Sequence, residues 1–542
     1  MAAKDLSSGQ PAPADCPKEL LVSGGMLLDG TGAPARAADV VVRGDRIVGV
    51  YAPGCAPHLP RACTVDARGL AVAPGFIDLH THADFSVKSA PGCESALHQG
   101  VTTLVTGNCG MSPFPVATGR PAAESWPDLR QFARAVTAAR PAVHIAPLVG
   151  HGALRAAVVG HDQRAASAAE VEAMRSLLAQ AARHGVFGMS TGLLYAPGRF
   201  AERAEIEALA AEAAVHGLLY ATHMRNEADE LLDAVAESLA VARATGVRLQ
   251  ISHLKAMGHA NRGKVREALR LIDEARGEGI DVAADVYPYT ASSTRLTSRL
   301  PGWALDGGTP ALLERLADPG QRAWLHAEVH SSLGRVIVPE EVVLAQLTPG
   351  PYEGSVGRSI AEVARGRGTD PASVVLDVLA EHGGDAFIIN HAMGEADVEA
   401  VLRHPHTAVA SDGWVLQAPA EGHPHPRSFG TFARVLARYV RERGVLALPE
   451  AVRRMTALPA ARLGLADRGT IRPGGIADLV VFDPEQVVDR ATFADPSRYA
   501  AGVHTVIVAG EPALWQGQPT PVRAGQVLRR PGAADGPARP PR

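Results

Sequence analysis

The chain has 542 residues, 46% of them hydrophobic, and a formal net charge of −4. That is enough apolar material for a large core, and the length suits one big domain with additions or two to four smaller ones. The charge balance, with no dense Lys/Arg patch, argues against a nucleic-acid binder, and no stretch approaches the roughly 18 apolar residues of a membrane span.

Residues 1–17 are rich in Ala, Pro, Ser and Gly and show no periodicity, so they are expected to be disordered. They lack the apolar core of a signal peptide, which places the protein in the cytoplasm. Five cysteines, Cys16, Cys55, Cys63, Cys93 and Cys109, form no C-x-x-C pair, so a disulfide framework is not expected. Residues 18–73 hold short apolar or alternating segments broken by Gly, Asp and Pro, and the pattern returns over 468–526. Two strand-rich ends predict one small β-sandwich domain built from both.

Between them, over 74–467, apolar segments alternate with amphipathic stretches such as AAEVEAMRSLLAQAARHG and ELLDAVAESLAVARATG, each closing on a glycine suited to a helix C-terminus. Strand followed by helix, repeated, predicts a parallel sheet closed as a (β/α)8 TIM-like barrel. The candidate strands are 71–79, 102–107, 143–149, 186–190, 218–222, 248–252, 282–286, 386–390 and 407–411, one more than the barrel needs. Residues 297–365 break the rhythm and predict an insertion over the barrel mouth. The Pro- and Gly-rich end, 527–542, is again expected to be disordered.

Metal-binding residue types stand just past these apolar runs. His80 and His82 follow AVAPGFIDL, Cys109 follows TTLVTGN, His223 ends LLYATH, His253 ends RLQISH and Asp412 follows TAVAS. Side chains at the carboxyl ends of parallel strands converge on one mouth, where barrel enzymes do their chemistry. His80 and His82, at i and i+2, face one side of a strand and can share a metal, with Asp78 placed to orient a ligand. His223 and His253 are one βα repeat apart and so on neighbouring strands. Cys109, between glycines in GNCG, offers a thiolate, a good zinc ligand. The pattern predicts a metal-dependent hydrolase. Lysine occurs only at Lys4, Lys18, Lys88, Lys255 and Lys264, which singles out Lys255, two residues after His253.

The segments PGFIDLHTHAD, GVTTLVTGNCG, STGLLYAPG, THMRNEAD, ISHLK, DVYPYTASST, SDG, HPRSFGTFARVL, MTALPAARLGL and GTIRPGGIADLVVFDP run in order over about residues 72–483. In them the chain resembles the amidohydrolase superfamily and, within it, the D-aminoacylase (N-acyl-D-amino-acid deacylase) family. The resemblance implies the same barrel and sandwich, and a cysteine where many amidohydrolases use a carboxylated lysine. It implies that Cys109, His223 and His253 hold a tightly bound zinc, while His80, His82 and Asp412 line a second, weaker metal position. Asp412 would act as general base and acid, and Tyr195 would donate a hydrogen bond to the developing oxyanion.

Lys255, Tyr287 and Ser293 would anchor the α-carboxylate of an N-acyl-D-amino acid. Arg295 and Arg427 would add positive charge at the mouth, which favours acidic substrates such as N-acyl-D-glutamate or N-acyl-D-aspartate. D over L selectivity enters through the resemblance alone. The alternatives are a cyclic amide hydrolase of the hydantoinase or dihydroorotase kind and a non-catalytic scaffold of the same fold. No partner beyond the small-molecule substrate is expected, and the sequence leaves the oligomeric state open.

Overall fold

The computed structural model describes residues 19–116 and 125–532. Residues 1–17 and most of the expected C-terminal tail fall outside that range. Eight strands pair parallel in chain order: Phe76–Asp78, Val101–Thr106, His144–Gly150, Gly188–Gly192, Leu219–His223, Arg248–Ile251, Val282–Val286 and Thr407–Val409. Their residues are almost all buried, as a parallel sheet covered by helices requires. A parallel bridge between Thr81 and Gly413 closes the barrel. The amide of His82 donates to Gly413 O and that of Asp412 to His80 O, both at 2.8 Å.

Helices stop where the sequence predicts. Ala168–His184 opens on a capping box, Ser167 with Glu170, and ends at Gly185 with φ 100°. Leu231–Thr245 ends at Gly246 in the same left-handed conformation. The barrel floor is filled by Ile77, Leu148, Phe187, Leu219 and Ala408, and the helix Ala457–Leu463 packs onto it through Ala460 and Leu463.

Both chain ends build the second unit, a nine-stranded sheet in which Leu479–Phe482 pairs antiparallel with Ala71–Pro74, the segment that leads into the first barrel strand. Alternation divides its side chains. Leu479 and Val481 join a core internal to the sheet, while Val480 and Phe482 join the main core shared with the barrel. The sheet curls until the edge strand Arg46–Tyr51 bridges Ile476, giving the sandwich-like shape.

The surplus strand is Ala386–Asn390. It lies in a separate three-stranded antiparallel sheet, between Ser292–Arg295 and Val342–Leu347. A short apolar run such as AFIIN carries no record of its partners, so its place is invisible to periodicity. The insertion is correspondingly larger than 297–365. It runs from Ser292 to Asn390 and has its own core, which includes Leu296, Leu325, Leu344, Ile360, Leu379 and Ile388.

The disorder expected from residue 527 is corrected over 527–532; residues 533–542 lie outside the described residues. Val527 bridges Ile145 of the third barrel strand, Leu528 N donates to Ile145 O, and Arg530 N donates to Gly185 O. Cys63 is disulfide-bonded, where no framework was expected, and among the described residues Cys55, Cys93 and Cys109 are free thiols. Among the described residues no helix is long and apolar enough to cross a membrane.

Candidate metal centre

All six expected ligands meet at the carboxyl ends of the barrel strands, and each is buried. The GNCG turn after the second strand is pressed between its neighbours. A Cβ at Gly107, where φ is 78°, would fall 2.2 Å from Leu148 O, and one at Gly192 would fall 2.0 Å from Cys109 O. The Gly110 amide donates to Ser190 Oγ at 3.0 Å, which pins the turn to the fourth strand.

Cys109 Sγ lies 3.3 Å from His80 Nε2, 3.6 Å from His223 Nδ1 and 3.5 Å from His253 Nε2. With Zn–S about 2.3 Å and Zn–N about 2.0–2.1 Å, tetrahedral geometry separates sulfur from nitrogen by roughly 3.6 Å. The sulfur–nitrogen distances lie close to that value, and His80, Cys109, His253 and Asp412 present donor atoms within 4.8 Å of one another, a set that could hold a metal ion. Asp412 Oδ1 completes the group, 3.1 Å from His82 Nε2 and 3.4 Å from His80 Nε2. The two expected sets, Cys109/His223/His253 and His80/His82/Asp412, are thus not separate: His80 faces both the thiol and the carboxylate.

The far ring nitrogens lie near carboxylates, the usual partners of metal-binding imidazoles, although those of His80 and His223 make no hydrogen bond among the described residues. His223 Nε2 is 3.4 Å from Glu227 Oε2, His253 Nδ1 is 2.9 Å from Glu227 Oε1, and His80 Nδ1 is 3.4 Å from Asp285 Oδ1. Glu227 and Asp285 escaped the sequence reading. The signals available were the i+4 spacing from His223 in THMRNEAD and the acid that opens DVYPY. Asp78 acts on the backbone, accepting from the amides of His80 and Ser411.

Electrostatics favour the anionic forms of Cys109 and Asp412. Burial pushes the Cys109 thiol up, but the His80 and His253 charges and hydrogen bonds from His223 and His253 hold it well below its usual value. Burial likewise raises Asp412, and Arg427 and His80 more than offset it, holding the carboxyl well below the usual range. Asp78, with burial dominant, is raised to about 7.

The substrate candidates fare differently. Lys255 Nζ pairs with Glu227 Oε1 at 2.6 Å and so is already neutralised. The buried Tyr287 hydroxyl has no partner among the described residues, and Lys255 and Arg427 flank its ring at 5.7 and 4.9 Å. Ser293 is reached through its carbonyl, which accepts from Arg427 Nη2 at 3.3 Å. Arg427 Nη1 donates to Asp412 Oδ2 at 2.8 Å, so its charge serves the carboxylate. Arg295 is half-exposed, pairs with Asp385 and stacks on Phe387, whose ring meets Trp414 beside His82.

Tyr195 stands beside His223, ring centroids 4.8 Å apart, and shares a 2.8 Å hydrogen bond with Thr294 Oγ1 of the insertion. The sequence reading also passed over Arg299. It is half-buried, its Nε lacks a hydrogen-bond partner among the described residues, and burial lowers its pKa.

A sequence model described as Amidohydrolase family matches residues 63–513. The chain belongs to the amidohydrolase family. This amidohydrolase is 40% identical to the N-acyl-D-glutamate deacylase of Alcaligenes xylosoxydans xylosoxydans, over 94% of this chain and 96% of the relative. It is 39% identical to the D-aminoacylase of the same organism, over 95% of this chain and 98% of that one. The crystal structure of an N-acyl-D-glutamate deacylase from Bordetella bronchiseptica, complexed with zinc and a phosphonate mimic of the tetrahedral intermediate, superposes with a TM-score of 0.81 at 38% identity, covering 95% of this chain and 100% of that one.

Proposed function

We propose that this amidohydrolase hydrolyses the amide bond of N-acyl-D-amino acids, releasing a carboxylate and a free D-amino acid. The observation that carries the reading is the Cys109 sulfur set at tetrahedral-edge distance from three imidazole nitrogens. Cys109, His223 and His253 would hold the tightly bound zinc, with His80, His82 and Asp412 lining a weaker second position. When bound, zinc supplies Lewis acidity, which acidifies water and polarises a carbonyl.

Asp412 takes the proton from the attacking water as the new C–O bond forms, and returns it to the amide nitrogen as the C–N bond breaks. Arg427 keeps that carboxylate ionised and fixed for both transfers. Tyr195, whose buried phenol stays protonated, donates to the oxygen on which negative charge develops. Tyr287, flanked by Lys255 and Arg427 and near Ser293, receives the substrate's α-carboxylate. With Arg295 and Arg427 both paired to acids, Arg299, which pairs with no acid among the described residues, is the guanidinium offered to an acidic side chain.

The cyclic-amide reading needs a carboxylated lysine at the centre. Cys109 occupies that place, and Lys255 is paired with Glu227. The scaffold reading needs lost ligands, and all six are present.

The test is amine release from N-acetyl-D-methionine, N-acetyl-L-methionine and N-acetyl-D-glutamate, with the zinc content of the same preparation. D-only turnover with about one tightly held zinc is expected. Turnover of the L substrate at equal rate, or none of any linear substrate by zinc-loaded protein, would overturn the reading.

A further inference from the structure

Glu227 is 3% exposed and sits on the loop between the fifth barrel strand and the helix Leu231–Thr245. Its two oxygens are divided between two rings: Oε2 faces His223 Nε2 at 3.4 Å and Oε1 faces His253 Nδ1 at 2.9 Å. The rings turn different atoms toward Cys109, Nδ1 from His223 and Nε2 from His253. A neutral imidazole carries one proton, so it offers a metal its near nitrogen only when the proton sits on the far one. His223 must therefore be the Nε2–H tautomer and His253 the Nδ1–H tautomer. One carboxylate stands within ion-pair reach of both far nitrogens and is the acceptor placed for both protons.

Lys255 makes this necessary. Its ammonium lies 2.8 Å from His253 Nδ1. Donating there would drive the ring proton to Nε2 and remove the lone pair facing Cys109. Glu227 Oε1 holds that ammonium at 2.6 Å, and the Met257 amide donates to Glu227 O at 2.7 Å, tying the two loops together.

We propose that Glu227 is a positioning residue that fixes opposite tautomers on His223 and His253, presetting both rings for a divalent metal; this rests on the zinc reading above. It stands apart from the Cys109-centred donors, since both its oxygens face ring nitrogens turned away from the thiol. Glutamine in its place keeps the shape but presents an N–H to one ring, and aspartate keeps the charge but cannot span both.

The test is zinc affinity by competition with a chromophoric chelator on the full chain, wild type beside Glu227→Gln and Glu227→Asp, with melting of the metal-free proteins. Zinc binding about ten- to hundredfold weaker in both variants is expected, and the metal-free melts separate that loss from the destabilisation caused by leaving Lys255 unpaired in Glu227→Gln. The cobalt-substituted variants should keep the Cys109 charge-transfer band while their ligand-field bands shift. A folded Glu227→Gln that binds zinc within about twofold of wild type overturns the proposal. If that variant does not fold, the same threshold applied to Glu227→Asp decides. Wild-type protein that fails to retain zinc at all would instead sink the functional reading, which keeps the two failures apart.

Discussion

Cys109, His253 and Asp412 carry donor atoms on left-handed backbone, with φ of 53°, 37° and 52°. Such conformations cost a non-glycine residue of order 1–3 kcal/mol each and persist only where the surroundings impose them. At Cys109 the imposing contact is Gly192, whose missing side chain leaves room for the Cys109 carbonyl. Gly192→Ala is expected to destabilise the protein by about 1–3 kcal/mol and to lower its zinc content; urea unfolding and metal analysis of the dialysed protein check this. Asp412→Asn addresses chemistry instead. An amide cannot take the proton from water, so kcat for N-acyl-D-amino-acid hydrolysis should fall by about 10²–10⁴ while the Cys109-centred zinc stays bound.

At the level of elements, one aspartate joins the terminal sheet to the barrel. Asp478, immediately before the strand Leu479–Phe482, accepts from His144 Nε2 at 3.2 Å and the Ala509 amide at 2.8 Å, and pairs with Arg468. Burial alone would raise its pKa; the His144 and Arg468 charges outweigh it and hold the group at about 2, below the ordinary 3.8. A folded-state pKa lower than the unfolded one stabilises above the unfolded value, and that stability is lost as pH falls through the folded value. Wild-type stability should therefore drop by about 2 kcal/mol between roughly pH 5 and pH 1 on this account. Asp478→Asn should lack that part of the acid slope in denaturant titrations. The insertion is fastened at the mouth in a comparable way, by Tyr195 to Thr294 and Arg427 to Ser293 O, with His425 to Ala291 O just before it.

Over the whole molecule, the sequence makes the ligands legible because each follows an apolar run, and parallel strands bring such positions to one mouth. It hides whatever depends on partners across the chain. Ala386–Asn390 reads like a barrel strand until its antiparallel pairing is seen, and Glu227 reads like a loop acid until the rings above it have an orientation. Arg295 and Arg299 are indistinguishable in STRLTSR, yet one pairs with Asp385 and the other lies near Tyr195. Composition misled at the C-terminal end, where Leu528 packs among the barrel-floor residues. Leu528→Ala should lower stability by about 2 kcal/mol, measured by thermal or urea unfolding.

The eighth barrel strand has three residues, and beyond it the chain meets the first strand's exit through the amides of His82 and Asp412. The seam of the cylinder and the reaction centre are thus one stretch of backbone. An ion that draws His80, His82 and Asp412 together also draws the cylinder shut. Zinc should act as a clasp: at a hundredfold excess over its Kd it should add about 2.7 kcal/mol of stability. Amide hydrogen exchange should slow first at His82 and Asp412, while the distant edge strand Arg46–Tyr51 exchanges as before.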